Sequence, residues 1–317
     1  MFLITSCYAA NENIKAEAVI AWPRGGGTDT LFRLLISHVN SNNKDINILP
    51  TNKIGFAGAL ALNYVYIHPA DATRILINAE NPPLYEFLGY GDKNYDDFEC
   101  ILLAATEAVG LIVPAESKWH TYSEIVYDSK NVREITQAIT NVGSLPWSSS
   151  AMLSSFAQGD FKQEWYDTDV AAMMAVFNGE ADFTFIKVQM ARQAVKNGRL
   201  RFIFTLTDKR LPEWEDVPAV TEEFPEFKNY LPWGPFYGAF VKKGTDPKII
   251  ERLKNAFMDA YNSKACQKYL ADGKMIPLGL SGQEANDYIH KWQERTLTAF
   301  SKGKLNLDFK FNNFGNQ

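Results

Sequence analysis

Residues 19–30, Val-Ile-Ala-Trp-Pro-Arg-Gly-Gly-Gly-Thr-Asp-Thr, restrict the fold more than any other stretch of the chain. A short apolar run stops at Pro23, three glycines follow, and Thr28-Asp29-Thr30 opens an amphipathic segment over 31–39. That order is strand, tight turn, helix, with Thr28, Asp29 or Thr30 as the expected N-cap. Glycines let the backbone approach a ligand closely, and the first helical turn leaves N–H groups without intrahelical partners. The loop is therefore a candidate anion seat, with Arg24 beside it as a counter-charge. No Lys-Ser/Thr follows the glycines, so it is not a Walker A loop, and the GxGxxG spacing of a dinucleotide site is absent. Plain turn chemistry accounts for the same residues, so the loop alone does not decide between a ligand site and a turn.

At 317 residues, 46% of them hydrophobic, the chain suits two domains or one large α/β domain with real cores. The net charge of −5 is mild and spread out, with no basic stripe, so nucleic acid is not an expected partner. The best apolar run, 101–113, is broken by Glu107 and falls short of a membrane span. Phe2-Leu3-Ile4-Thr5-Ser6-Cys7 resembles the tail of an export signal ending in a bacterial lipoprotein cleavage box. The basic n-region and most of the apolar h-region are missing, and the alternative is a short leader with an incidental cysteine. The spacing of Cys100 and Cys266, the other cysteines, suggests neither a disulfide framework nor a zinc site, and a bridge between them is left open.

Further on, strands and helices alternate. Strands are predicted over 45–49, 74–78, 109–113, 183–186, 201–206 and 236–241. A second Gly-containing turn at 52–58 precedes a helix from Ala59 to about His68. Helices are also predicted over 132–139, over 148–157 after a break at Pro146, over 169–177 and over 188–196. Pro247 opens a helix to about Tyr261, capped by Thr245 or Asp246, and Ser281-Gly282-Gln283-Glu284 fits a capping box for a long helix to Phe300. Repeated β-α-β order predicts an α/β fold with mostly parallel sheets and helices on both faces.

The collinear set of motifs resembles the substrate-binding receptors of tripartite tricarboxylate transporters, the TctC or Bug family. Residues 19–29 resemble the family's apolar-Pro-x-Gly-Gly-x-Thr-Asp opening. Residues 52–61 resemble its Asn-x-x-Gly-Ala-Gly-Gly turn, with Phe56 and Ala59 as departures. Gly179-Glu180-Ala181-Asp182 resembles a Gly-x-x-Asp before a mid-chain strand, and Arg210 with Asp216-Val217-Pro218-Ala219 and Glu222 resembles an Arg-x-Asp-Val-Pro-Thr-x-x-Glu segment. Pro232-Trp233-Gly234 and Gly244-Thr245-Asp246-Pro247 fit as well, so the similarity runs from about Glu17 to Phe300.

The resemblance implies a two-lobed periplasmic-binding-protein fold of the second type, closing on a ligand in the cleft between lobes. Lobe one is expected at 16–106 and 231–300, lobe two at 107–230, with a leader or signal remnant at 1–15 and a tail at 301–317. In the family a carboxylate is held largely by backbone N–H groups and waters from the two Gly turns. Pro23, Arg24, Gly25, Gly26, Thr28 and Asp29, and then Ala57, Gly58 and Ala59, carry over as ligand-binding candidates. From lobe two come Ser144, Ser148, Tyr166, Thr168 and Asp182. Trp22 and Trp147 are bulkier than the family's residues there; each either stacks on a flat ligand or packs a lobe edge. Asp29 and Asp182 also read as helix caps. Glu80-Asn81 reads as solvated loop near the cleft.

Catalysis ranks behind capture. The four histidines lack metal-ligand spacing, Ser148-Ser149-Ser150 sits in no GxSxG elbow, and no cofactor is expected. The expected function is an exported, periplasmic receptor for a small organic carboxylate, with a two-subunit membrane permease as partner. Membrane contact would come only through a lipid anchor at Cys7. A ligand-sensing partner of a membrane kinase is the alternative, and a hydrolase ranks lower.

Overall fold

The computed structural model describes residues 13–303. Its strands are β1 (Ile14–Ile20), β2 (Ile46–Asn52), β3 (Arg74–Asn78), β4 (Phe98–Thr106), β5 (Val109–Pro114), β6 (Ile135–Ile139), β7 (Phe161–Trp165), β8 (Thr184–Lys187), β9 (Leu200–Thr205), β10 (Phe236–Lys242) and β11 (Ile276–Leu280). Its helices are α1 (Gly27–Asn42), α2 (Ala59–Tyr66), α3 (Tyr85–Leu88), α4 (Tyr122–Asn131), α5 (Leu145–Leu153), α6 (Asp169–Asn178), α7 (Val188–Lys196), α8 (Val220–Glu223), α9 (Pro247–Asn262), α10 (Lys264–Asp272) and α11 (Gly282–Lys302).

One six-stranded sheet has the order β11-β4-β10-β3-β1-β2. Within it β1 pairs in parallel with β2 and β3, whereas β10 runs antiparallel to β3 and β4, and β11 antiparallel to β4. The other unit holds β8-β5-β9, all antiparallel, and the parallel pair β6-β7, joined to it by an isolated bridge between Gln137 and Phe183, the residue just before β8. The chain passes between the units after Thr106 and returns before Phe236. The sheets are therefore mixed rather than mostly parallel. Glu107 and Ala108 alone connect β4 to β5, too short a link for a helical crossover, and both β10 and β11 enter the first sheet against its parallel strands.

Apolar spacing explains how the helices dock. Leu31, Phe32, Leu35, Ile36 and Val39 form one buried stripe of α1, which packs on β2 and α9. Burying each such side chain contributes about 1.5–3 kcal/mol. On α11 the stripe is Ala285, Ile289, Trp292, Thr296, Ala299 and Phe300, and it touches both β4 and α5. That helix thus spans the two units.

Several local expectations are corrected. The segment 132–139 is not a helix: α4 ends at Asn131, and Ile135, Gln137 and Ile139 point into the core from β6. A capping box between Thr121 and Glu124 starts α4 earlier than its apolar spacing suggests. Pro146 does not break a helix but lies in the first turn of α5, where its missing N–H is not needed. Ser281 occupies the N-cap of α11 without a side-chain cap bond, so the expected box does not form. Asp246 does cap α9, accepting the Lys248 N–H at 2.7 Å. Cys100 and Cys266 are both buried and unpaired, one in each of two separate core clusters. Cys7 and 304–317 lie outside the described residues.

Candidate functional site

The site is built where strands end and helices begin. Beyond β1 the loop turns at Gly25, whose φ of +84° favours glycine, and α1 starts at Gly27 with Gly26 as its N-cap. None of Thr28, Asp29 and Thr30 is the cap. Asp29 sits inside the first turn and braces the loop. Its carboxylate accepts the Gly25 N–H at 2.9 Å, the Arg33 Nε at 2.8 Å and the Asn52 amide at 2.9 Å. Asn52 also donates to the Trp22 carbonyl and accepts from Arg33, both at 2.8 Å. Burial pushes the Asp29 pKa up, but these donors outweigh it and hold the carboxyl below the usual carboxylate range. These three donors make Asp29 a brace of the loop. The N–H groups of Gly27 and Thr28, in the first turn, have no intrahelical acceptor and sit at the positive end of the helix dipole.

The second turn is fixed from below. Ala57 and Gly58 both take positive φ, +50° and +91°, and Gly58 is the N-cap of α2. The Tyr85 hydroxyl donates to the Ala57 carbonyl at 2.7 Å. Asn78, fully buried at the end of β3, accepts the Trp22 indole N–H at 3.1 Å and the Ala79 N–H at 2.9 Å. A Cβ on Gly58 would meet Asn78 Oδ1 at 2.7 Å and the Tyr85 hydroxyl at 2.9 Å. The two Gly turns are thereby tied into one frame, with Ala59 buried at the start of α2. Pro23 and Gly26 are half-buried and Arg24 is exposed.

The second unit meets this frame at the start of α5. Asn81 donates to the Gly143 carbonyl at 2.6 Å, and Tyr90 donates to the Val142 carbonyl at 2.8 Å. Ser148 also reaches the Gly143 carbonyl, at 3.3 Å. Ser144 is the α5 N-cap position, yet its buried Oγ has no partner, and neither have Asn81 Oδ1 and Asn141 Oδ1.

Behind them lies a buried charged floor. Register places its members at one edge: Gly238 pairs with Asn78, Phe236 with Thr106, and Val109 with Lys187. Glu107, directly after β4, and Glu80, two residues after β3, therefore lie at the same sheet edge with β10 between those strands. The Glu107 carboxylate accepts the Tyr237 hydroxyl, and Lys187 lies 3.5 Å from Asp169 at the start of α6. A Cβ on Gly27 would lie 3.8 Å from that same Tyr237 hydroxyl, which connects the floor to the α1 N-terminus. Burial pushes the Glu80 pKa up to about 7 against the pull of Lys187, with Asp169 and Glu107 adding to the rise. Burial likewise raises Glu107, against Lys187 and the Tyr237 hydroxyl. For Lys187 burial acts downward, but Asp169, Glu107 and Glu80 together hold its pKa above the ordinary value.

Other expected site residues lie elsewhere. Asp182 is bound by the Arg133 guanidinium at 2.5 and 2.9 Å and by the Thr136 N–H at 2.8 Å, beyond the opposite end of β8 from Lys187. Trp147 is 4% exposed and meets Phe300 edge-on at 5.7 Å. It packs the core and lines a separate cavity of about 120 Å³ with Tyr122, Gln137, Ser150 and Gln163. Thr168 caps α6 through the Ala171 N–H, and the Tyr166 backbone bonds to Ile139 while its ring packs on the core beneath β8. Glu80 is 6% exposed, not a solvated loop residue. Sequence reasoning missed Asn52, Asn78, Glu107, Lys187 and Tyr237. Their shared signal is position at strand ends, where open α/β sheets place ligands.

Among the described residues no group of His, Cys, Asp and Glu side chains is arranged to hold a metal ion, and no helix is long and apolar enough to cross a membrane. Residues 22–302 match the family described as the tripartite tricarboxylate transporter family receptor. A UPF0065 protein from the gbd 5' region of Cupriavidus necator is 28% identical over 273 residues, 84% of this chain and 80% of that one. An adipate-bound Rhodopseudomonas palustris protein superposes with a TM-score of 0.77 at 18% identity, covering 92% of this chain and 97% of the other. MatC from Rhodopseudomonas palustris, with bound malate, gives 0.74 at 20% identity with the same coverage. These structures share the periplasmic-binding-protein fold.

Proposed function

The chain belongs to the tripartite tricarboxylate transporter receptor family, and from that premise we propose that it captures a small organic carboxylate in the cleft between its two units. The observation that carries this reading is the convergence on one strand-end edge of the N-termini of α1 and α2, held open to a ligand by Asp29, Asn78 and Tyr85. The unpaired Gly27 and Thr28 N–H groups of α1 favour a carboxylate, and the α2 dipole adds to them although its Ala59 N–H is taken by the Phe56 carbonyl. Malate and adipate in the structural neighbours are ligands of that chemistry. The start of α5 supplies the opposing wall, and ligand contacts from both sides favour the closed form. A two-subunit membrane permease is the partner that would read closure, and the periplasm is where such a receptor works, with Cys7 as its lipid anchor.

Thermal melts of ligand-stripped protein against mono-, di- and tricarboxylates, amino acids and aromatic acids test the reading. A ligand at 100 times its Kd adds about 2.7 kcal/mol to stability, enough to raise Tm measurably. One carboxylate class is expected to stabilise selectively; stabilisation by none of them overturns the reading.

A further inference from the structure

The cleft floor carries more carboxyl groups than its one cation can pair. Glu80, Glu107 and Asp169 face one ammonium, Lys187, and Lys187 already lies 3.5 Å from Asp169. Glu107 takes a neutral hydroxyl from Tyr237. Glu80, 6% exposed, accepts its own backbone N–H but has no salt bridge and interacts with Lys187 only through space. Next to it in the chain, Asn81 is 1% exposed with its Oδ1 unpartnered, and the Ser144 Oγ across the seam is unpartnered too. Buried carboxylates and orphaned acceptors are costly unless something with positive charge and donor hydrogens completes them. Arg33 cannot, being held by Asp29 and Asn52.

We propose that Glu80 and Glu107 form a cation subsite on the cleft floor, so that this chain prefers a carboxylate carrying an amine at its far end over a dicarboxylate of equal length. This rests on the carboxylate-binding reading of the cleft. The ligand's carboxylate sits on the Gly27 and Thr28 N–H groups of α1, and its ammonium reaches Glu80, Glu107 and the free oxygens of Asn81 and Ser144. An ammonium has three donors and no acceptor, which suits this acceptor-rich wall. A second carboxylate there would face two buried acids, the half-buried Asp169 and a lysine already engaged. The titratable groups facing Glu80 are Lys187 from β8, Asp169 from α6, Glu107 from the β4 end, Tyr237 from β10, and Tyr85 and Tyr95 beside β3. Since burial holds Glu80 partly protonated near pH 7, an ammonium ligand expels a proton and binds more tightly as pH rises through that range.

Titration calorimetry with matched pairs, 4-aminobutanoate against succinate and 6-aminohexanoate against adipate, tests this on the full chain and on folded Glu80→Gln. In the wild type the amino member of a pair is expected to bind at least about tenfold more tightly than the diacid. Repeating the titration at pH 7 in buffers of different ionisation enthalpy should show proton release. Glu80→Gln is expected to lose that preference and the release, while its melting curve shows it folded. Tighter binding of the diacid, or an unchanged preference in Glu80→Gln, overturns the subsite and leaves the receptor reading standing. Binding of neither member of any pair also overturns the subsite, and only a melting screen with no stabilising carboxylate overturns the receptor reading as well.

Discussion

Asp29→Ala is expected to lower stability by about 3 kcal/mol and to abolish carboxylate binding, although the carboxylate touches no ligand in the proposed arrangement. The side chain is 2% exposed and collects three donors, from Gly25, Arg33 and Asn52. Hydrogen bonds to a charged group contribute about 1.5–3 kcal/mol each, and removing the acceptor leaves three donors to find water. The Arg33 side chain is 30% exposed and can be rehydrated, so the total stays well below the sum of the three bonds. Binding suffers for a different reason. Gly25 loses the contact that fixes its left-handed turn, and the Gly27 and Thr28 N–H groups are no longer held in register. The pH dependence carries a sign that checks the cause. Because the folded-state pKa of Asp29 is depressed, its contribution is present above the ordinary carboxylate range and is lost as pH falls through the folded value. Denaturant unfolding of wild type and variant should therefore converge in strong acid. Equal stability at pH 7 would show that the brace is not carried by this carboxylate.

Gly27→Val is expected to weaken ligand binding by about 100-fold or more while leaving the melting temperature within a few degrees, measured by calorimetry and thermal unfolding on the same sample. A Cβ at this position finds the Tyr237 hydroxyl at 3.8 Å, an ordinary contact, and φ is not in the left-handed range. The fold therefore tolerates the side chain. The γ-methyls, however, enter the space between the first turn of α1 and the cleft floor, where the ligand carboxylate is proposed to lie. Gly58 is a poorer probe, since a side chain there collides with the buried Asn78 and Tyr85 and would damage the frame as well as the site. Unaltered affinity in folded Gly27→Val would move the carboxylate off the α1 N-terminus.

The glycine loop was legible because it is local: strand end, glycines and helix start lie within a dozen residues. Its chemistry was less so. Asp29 follows the glycines where a cap is expected, yet the helix starts at Gly27, and only the return of Asn52 on β2 shows the carboxylate to be a brace. The floor was illegible for a reason of distance. Tyr237 and Glu107 are 130 residues apart, and Lys187 joins them through its pairing with Val109. Single residues of that kind leave no periodicity or spacing to read. The mixed sheets were missed because β-α-β order predicts parallel neighbours, whereas β10 inserts between β3 and β4 only after the chain has built a whole second unit. Trp147 and Asp182 drew attention by type, a large ring and an acid before a strand, but core packing and an arginine pair account for them.

The most direct measurement of the carboxylate site is the set of backbone amide shifts in isotope-labelled protein as the best carboxylate from the melting screen is titrated in. The largest changes are expected at Gly27, Thr28 and Ala59 on one side and Ser144 on the other. Changes confined to the cavity around Tyr122, Gln137 and Gln163, with those four amides unmoved, would contradict the proposed site.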